Sequence, residues 1–311
     1  MTAASQCLRL SAPAKLNLAL AVSPQIVAGK HLLETVYTTI DLADQLEFIY
    51  NPTAAATLDI KMEMVPPLAR VRIVPSQNII WRTIQVWQEY FGCQLPGSWT
   101  VRVQKNIPVR AGLGGGSANA AATLLALQQL LANPANAADM QAMAARLGAD
   151  VAFFLHGGCV YMSGWGEQYQ RSYTLPELDI VLAKPRRGLA TATVYRQFDR
   201  APQPQFALDG LLAQLAALED LPSLTTATLS VLASELTNNL TAAAVFLLPA
   251  IGVLIAQMEQ CDGVLKSLLS GSGSTVFGLC KNREAALAAA SLLSGQNYWT
   301  AVCRTSSAIP V

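Results

Sequence analysis

Lys105-Asn-Ile-Pro-Val-Arg-Ala-Gly-Leu-Gly-Gly-Gly-Ser-Ala-Asn-Ala-Ala121 is the stretch that decides the fold. Glycines stand at 112, 114, 115 and 116, between a strand-like run (Trp99-Thr-Val-Arg-Val-Gln104) and Ala120 to Leu131, AAATLLALQQLL. The alanines, leucines and glutamines of the second run favour helix, and Ser117 and Asn119 are residue types that start one. Glycine permits positive φ and close approach of another group. A glycine loop feeding a helix N-terminus offers unpaired N–H groups and the positive end of a dipole, which favours a phosphate. The pattern is not a Walker loop, because Gly116 is followed by Ser117 where that loop needs lysine. A dinucleotide fingerprint is equally disfavoured, since no acidic residue lies about twenty positions on and the preceding strand sits deep in the chain.

A chain of 311 residues suggests two domains or one large one. Net charge is +1, so nothing in the balance points to a nucleic-acid partner. Residues Ala242 to Ala256 are apolar but broken by Pro249 and Gly252. A spanning helix needs about twenty apolar residues, so a buried helix or helix pair is expected here and no membrane partner. Arg9 and Lys15 flank only short apolar runs, and no signal peptide is expected. The six cysteines have no CxxC spacing and there are two histidines, His31 and His156. That pattern excludes a zinc site and reads as buried thiols of a cytoplasmic protein.

Working outward, Leu8 to Val22 reads as two strand pieces around an irregular turn, and Val36 to Tyr50 as two more around Asp41–Asp44. Ala69 to Val74 and Trp99 to Gln104 are strand-like, and Asn78 to Phe91 has helical spacing (Ile80, Ile84, Trp87, Phe91). A helix beginning near Ser117 runs to about Leu131, and a shorter one from Asp139 to Leu147 ends at Gly148-Ala-Asp150. Val151 to Leu155 follows as an apolar segment. Val160 to Tyr173 reads as a hairpin broken by Gly164 and Gly166, and Asp179 to Ala183 as a buried strand. Beyond Thr191 the chain is helix-rich, with a second glycine turn at Ser270-Gly-Ser-Gly-Ser274 before a strand. The organisation expected is 1–165 and 166–311.

Three separated segments carry a resemblance. Pro13-Ala-Lys-Leu-Asn17, Ile107 to Ala121 and Leu269-Ser-Gly-Ser-Gly-Ser-Thr-Val-Phe277 resemble, in order and spacing, the three motifs of the GHMP small-molecule kinases. The resemblance runs from about residue 8 to about 300. It implies an α+β fold of two domains, ribosomal protein S5 domain 2-like at the N-terminus and ferredoxin-like at the C-terminus. Gly29-Lys-His31 with Glu34-Thr-Val36, Leu147-Gly-Ala-Asp-Val151, Gly164-Trp-Gly-Glu167, and Lys184-Pro185 with Thr191 to Tyr195 narrow it to the branch that phosphorylates a cytidyl diphosphate alcohol. The implied reaction is ATP-dependent phosphorylation of the 2-hydroxyl of diphosphocytidyl-methylerythritol, in the non-mevalonate isoprenoid pathway. Alternatives are a family kinase for another small alcohol (homoserine, mevalonate or a sugar) and a non-catalytic nucleotide-binding relative. Two departures stand out: Lys30 replaces an aromatic before His31, and Asn238-Asn-Leu-Thr241 replaces the common Asn-Asp-Leu-Glu.

By that resemblance ATP lies on Pro108, Val109, Arg110, Ala111, Gly112, Leu113, Gly114, Gly115, Gly116, Ser117 and Ala118, and brings Mg²⁺ with it; no protein metal ligands are expected. Asp150 alone reads as a cap or turn residue, and the resemblance makes it the catalytic base. Lys15 sits among apolar residues and needs a partner, since an unpaired buried charge is costly; Asp150 is the expected one. Asn17, two residues on, shares a strand face with Lys15 and is expected to position the substrate hydroxyl. His31 is expected to read the cytosine edge, and Tyr195 to stack on the ring. The Ser270–Ser274 turn is expected to narrow the cleft, and His156 to be a turn residue without chemistry. The expected assembly is a monomer or weak homodimer.

Overall fold

Two long antiparallel strands, β1 (Gln6–Val27) and β2 (Lys30–Asn51), form the spine of a computed structural model that describes residues 5–64, 78–131, 135–219, 221 and 224–307. Each was expected as two pieces. Instead each is continuous, because the irregularity is absorbed as a bulge: Pro13 pairs with Ala43 and Ala14 with Ile40, so Asp41 and Leu42 are looped out of register.

Around this spine lie β3 (Thr57–Met64), α1 (Ile79–Phe91) and β4 (Ser98–Lys105), with β3 parallel to β4 and β4 antiparallel to β2. α1 buries Ile80, Ile84 and Trp87 as its spacing requires, and the Asn78 side chain caps it by accepting from Ile80 N–H. The strand expected at residues 69–74 lies outside the described residues.

α2 (Gly115–Leu130) starts two residues earlier than expected. Its cap is Gly114 at φ +70°, not Ser117 or Asn119, because the chain enters through a left-handed residue and no side chain caps it. Ala118, Ala120, Ala121, Ala122 and Ala126 are fully buried. Their small size lets the backbone of α2 come close to its neighbours on several sides. α3 (Ala137–Leu147) carries a capping box between Asn136 and Asp139.

Residues 151–155 are helical, within α4 (Ala149–His156), so Asp150 belongs to the first turn of a new helix and does not end the previous one. A run buried on every side has no periodicity to reveal its type. β5 (Cys159–Ser163) and β6 (Gln168–Tyr173) form the expected hairpin and extend the same sheet along β2. The division expected at 165/166 falls in the turn of this hairpin. We propose residues 174–178 as the division, since β6 still belongs to the first sheet.

The second half opens with β7 (Asp179–Lys184) and continues through α5 (Thr191–Arg200), α6 (Asp209–Glu219), α7 (Thr226–Glu235), β8 (Thr237–Asn238), α8 (Thr241–Leu247) and α9 (Ala250–Glu259). β9 (Val264–Leu269), β10 (Val276–Cys280), α10 (Arg283–Ser294) and β11 (Trp299–Ser306) complete it. The strands run in the order β11-β7-β10-β9, each antiparallel to its neighbour. Omitting the short β8, this is the βαββαβ order of a ferredoxin-like domain, its first crossover enlarged to five helices. Together the two halves give the two-domain α+β architecture expected.

The apolar run 242–256 is a helix pair split at Leu248-Pro249, with one face buried and Phe246 and Val253 exposed. No helix among the described residues is long and apolar enough to cross a membrane. All six cysteines are free; four are buried, but Cys7 and Cys93 are exposed, against expectation, on the sheet's edge and after α1. β11 pairs with β2 at Ile40, and β8 runs parallel to β1 at Ala19 and Leu20, so the halves share backbone pairing.

Candidate active site

A cleft of about 600 Å³ lies where β1, the glycine loop, the start of α4 and the second half meet. Each loop glycine answers a different constraint. A Cβ on Gly112 (φ +79°) would stand 2.1 Å from Ser270 O, and one on Gly114 would stand 2.8 Å from the Lys15 side chain. At Gly115 it would meet Ile107 at 2.9 Å and Lys105 Nζ at 3.0 Å, so Gly115 is needed by the fold itself. Gly116 is exposed, lines the cleft and has nothing within 4 Å of its Cβ position. It therefore presents open backbone at the first turn of α2, where an anion is favoured.

The second glycine turn locks onto this loop. Thr275 N–H donates to Ala111 O (3.0 Å) and Ser270 Oγ to Gly112 O (3.1 Å). Ser272 and Thr191 share a hydroxyl hydrogen bond of 2.9 Å, and both line the cleft. Gly271 and Ser272 of the turn line the cleft. Asn238 Nδ2 donates to Leu269 O and Gly271 O, each at 2.8 Å, while Asn239 bonds both backbone groups of Val22. The departure at 238–241 is thus built into the support of this turn.

Lys15 is buried, with Nζ 2.6 Å from Asn17 Oδ1, 3.7 Å from Asp150 Oδ2 and over the Tyr37 ring. Burial holds the ammonium's pKa below the ordinary lysine value, and Asp150 opposes that shift. Asn17 Nδ2 is anchored on Thr35 Oγ1 (2.9 Å), which fixes which of its ends faces Lys15. Tyr37 Oη donates to Asp150 Oδ1 at 2.8 Å. Burial, then the neighbouring carboxylate, push the phenol well above its usual range, so Tyr37 stays a donor. Asp150 keeps about a third of its side chain exposed to the cleft. The structure brings Lys15, Asn17 and Asp150 together. Sequence reasoning missed Tyr37, whose only signal was its position two residues after Thr35 on a buried strand face.

A second missed group stands behind the loop. Asp44, fully buried, accepts from Lys105 Nζ (2.5 Å) and from the backbone N–H groups of Asn106 and Ile107 (2.8 Å each). Lys105 Nζ also donates to Ile107 O at 2.8 Å. This clamp sets the exit of β4 toward the glycines. Asp44 and Lys105 stand among other polar and charged residues, 61 positions apart, so nothing local paired them. Lys105, Asn78 and Asn119 line the same end of the cleft, and Asn119 Oδ1 is buried without a protein partner.

At the other end Tyr195 and Trp165 line the cleft, and Lys30 lies over the Trp165 ring at 5.1 Å. His31 does not line it. Its ring sits behind Tyr195 with centroids 5.7 Å apart, Nδ1 bonded to Ser23 O (2.8 Å) and Nε2 to Asp199 Oδ1 (2.7 Å). His156 bonds Gln141 and stacks on Tyr169, away from the cleft. No cluster of three or more His, Cys, Asp or Glu that could hold a metal exists among the described residues.

A glycine-rich helix start shares one cleft with a lysine–carboxylate pair, and the comparisons show the class, an ATP-dependent small-molecule kinase. The family description "GHMP kinases N terminal domain" matches residues 78–158, and "GHMP kinases C terminal" matches 217–297. A 4-diphosphocytidyl-2-C-methyl-D-erythritol kinase of Desulfitobacterium hafniense is 33% identical over 94% of this chain and 93% of its own. One from a Nocardioides species is 36% identical over 93% and 94%. A crystal structure of 4-(cytidine 5'-diphospho)-2C-methyl-D-erythritol kinase superposes with a TM-score of 0.73 at 30% identity, over 97% of this chain and 100% of the other. A homoserine kinase from Cytophaga hutchinsonii, 18% identical with a TM-score of 0.70 over 98% and 96%, shares the fold. The chain belongs to the GHMP kinases and, within them, to the 4-diphosphocytidyl-2-C-methyl-D-erythritol kinase family.

Proposed function

We propose that the chain transfers the γ-phosphoryl group of ATP to the 2-hydroxyl of 4-diphosphocytidyl-2-C-methyl-D-erythritol, a step of the non-mevalonate isoprenoid pathway. The observation that carries the reading is the Lys15–Asn17–Asp150–Tyr37 cluster in the same cleft as the open backbone at Gly116. The names of its relatives supply the alcohol.

In this reading Pro108 to Ala118 hold the phosphates. ATP, when bound, supplies the phosphoryl group and carries Mg²⁺, whose remaining ligands are phosphate oxygens and waters. Asp150, the one carboxylate lining the cleft among the described residues, takes the proton of the attacking hydroxyl. Tyr37 holds one of its oxygens, leaving the other near Lys15. The Lys15 ammonium keeps the carboxylate ionised and offsets charge on the transferring oxygens. Asn17, oriented by Thr35, places the hydroxyl. Tyr195 stacks on the cytosine, and His31 reads its edge by exchanging the half-exposed Asp199 for the base. Every group comes from one chain, so a monomer or weak homodimer suffices, working in the cytoplasm where ATP is supplied.

ADP release measured across a panel of alcohols tests this. Diphosphocytidyl-methylerythritol is expected to be the efficient acceptor; preference for homoserine, mevalonate or a sugar would overturn the reading.

A further inference from the structure

Arg110 stands in the glycine loop at φ +53°, a left-handed backbone that glycine takes freely and a residue with a Cβ takes only at a cost. The conformation is imposed from outside the loop. The next two carbonyls, of Ala111 and Gly112, are held by Thr275 N–H and Ser270 Oγ of the second half. Gly188 packs so closely that its Cβ would lie 2.8 Å from Arg110 O. Strain retained where the surroundings over-determine it marks functional positions. A glycine here would satisfy the backbone better, so the arginine must answer to something else.

Charge supplies that reason. Among the described residues three basic side chains line the cleft: Lys15, Lys105 and Arg110. Lys15 is committed to Asn17 and Asp150, and Lys105 to Asp44 and Ile107 O. Arg110 is exposed, and among the described residues no carboxylate pairs with it. Among the described residues it is the uncommitted cation of the cleft, on the loop that leads into the open backbone of Gly116. A guanidinium offers a planar fork of donors that matches phosphate oxygens.

We propose that the Arg110 side chain binds the terminal phosphates of the nucleotide, adding a mobile cation to the fixed backbone cradle. This rests on the loop being the nucleotide site, and on nothing about the alcohol.

Calorimetric binding of ATP and of adenosine to full-length Arg110→Gly, Arg110→Gln and Arg110→Lys tests it, with thermal unfolding alongside. Arg110→Gly is expected to raise the unfolding midpoint by about 2 °C as the strain is relieved. The same variant should bind ATP at least roughly tenfold more weakly, the worth of a charge-assisted phosphate contact. Arg110→Gln should lose ATP affinity similarly, Arg110→Lys should lose less, and adenosine should bind all three as it binds the parent. Unchanged ATP affinity in Arg110→Gln would overturn the proposal. So would equal losses for ATP and adenosine, which would mean that the loop's shape alone is read. Because no alcohol is present, these outcomes stand apart from the acceptor panel, whose failure would leave them unaffected.

Discussion

Lys15 is the residue whose environment makes the sharpest claim about activity. It is buried at the floor of the cleft, and burial lowers its pKa more than Asp150 raises it. The ammonium is the working form, so kcat/KM must fall as pH rises through a value below that of an ordinary lysine. The folded state also binds this proton less tightly than the unfolded chain, so between those two values the Lys15 contribution to stability rises with pH while activity falls. We expect Lys15→Arg, which does not titrate in that range, to be slower but to lack the alkaline limb. A pH profile of kcat/KM in which parent and variant share the same limb would assign it to another group. At this scale Lys15 among apolar residues and the packed glycines stated a constraint of their own, whereas Asp150 alone read as a cap or turn residue and only the resemblance marked it as a base. His31 was less legible: its tie to Asp199 spans 168 residues and depends on where α5 docks. Gly115 and Gly116 look alike in sequence, and only packing shows that one is needed by Ile107 and Lys105 while the other faces open space.

Among the elements, the exit of β4 into α2 depends on the buried Asp44–Lys105 pair. Asp44 accepts three hydrogen bonds, two of them from the backbone that leads into the loop. Removing its charge would leave Lys105 buried and uncompensated, which costs about 3–5 kcal/mol for such pairs. Asp44→Asn is therefore expected to lower the urea-unfolding free energy by that order, and adding Lys105→Met should recover part of it. A single variant within about 0.5 kcal/mol of the parent, the usual range for surface changes, would show that the pair is not structural. Helical spacing found α1, where one face is buried, helix propensity found α2, and Gly164 and Gly166 marked the β5–β6 hairpin. The same reading divided β1 and β2, because Pro13 and the acidic run at 41–44 resemble turn chemistry. The bulge that reconciles them is set by pairing partners thirty residues apart. The same reading left α4 untyped, since that run is buried all round.

For the whole molecule, the two halves matter because neither holds the site alone. The first supplies the phosphate loop, Lys15 and Asp150. The second supplies the turn at 270–275 that locks the loop, and Tyr195. Backbone pairing of β2 with β11 and of β1 with β8 fixes their relation. The order of three motifs made this arrangement legible before any coordinates, but Tyr37 and Asn78, which also line the cleft, lie outside those three motifs. The most direct test is single-turnover transfer from γ-labelled ATP to saturating diphosphocytidyl-methylerythritol by the parent and by Asp150→Asn. The parent is expected to place the label on the 2-hydroxyl. The variant is expected to bind both substrates but transfer about 10²–10⁴ times more slowly, the usual worth of a general base. An unlabelled alcohol with the parent enzyme, or an Asp150→Asn variant that transfers at the parent rate, would contradict the account.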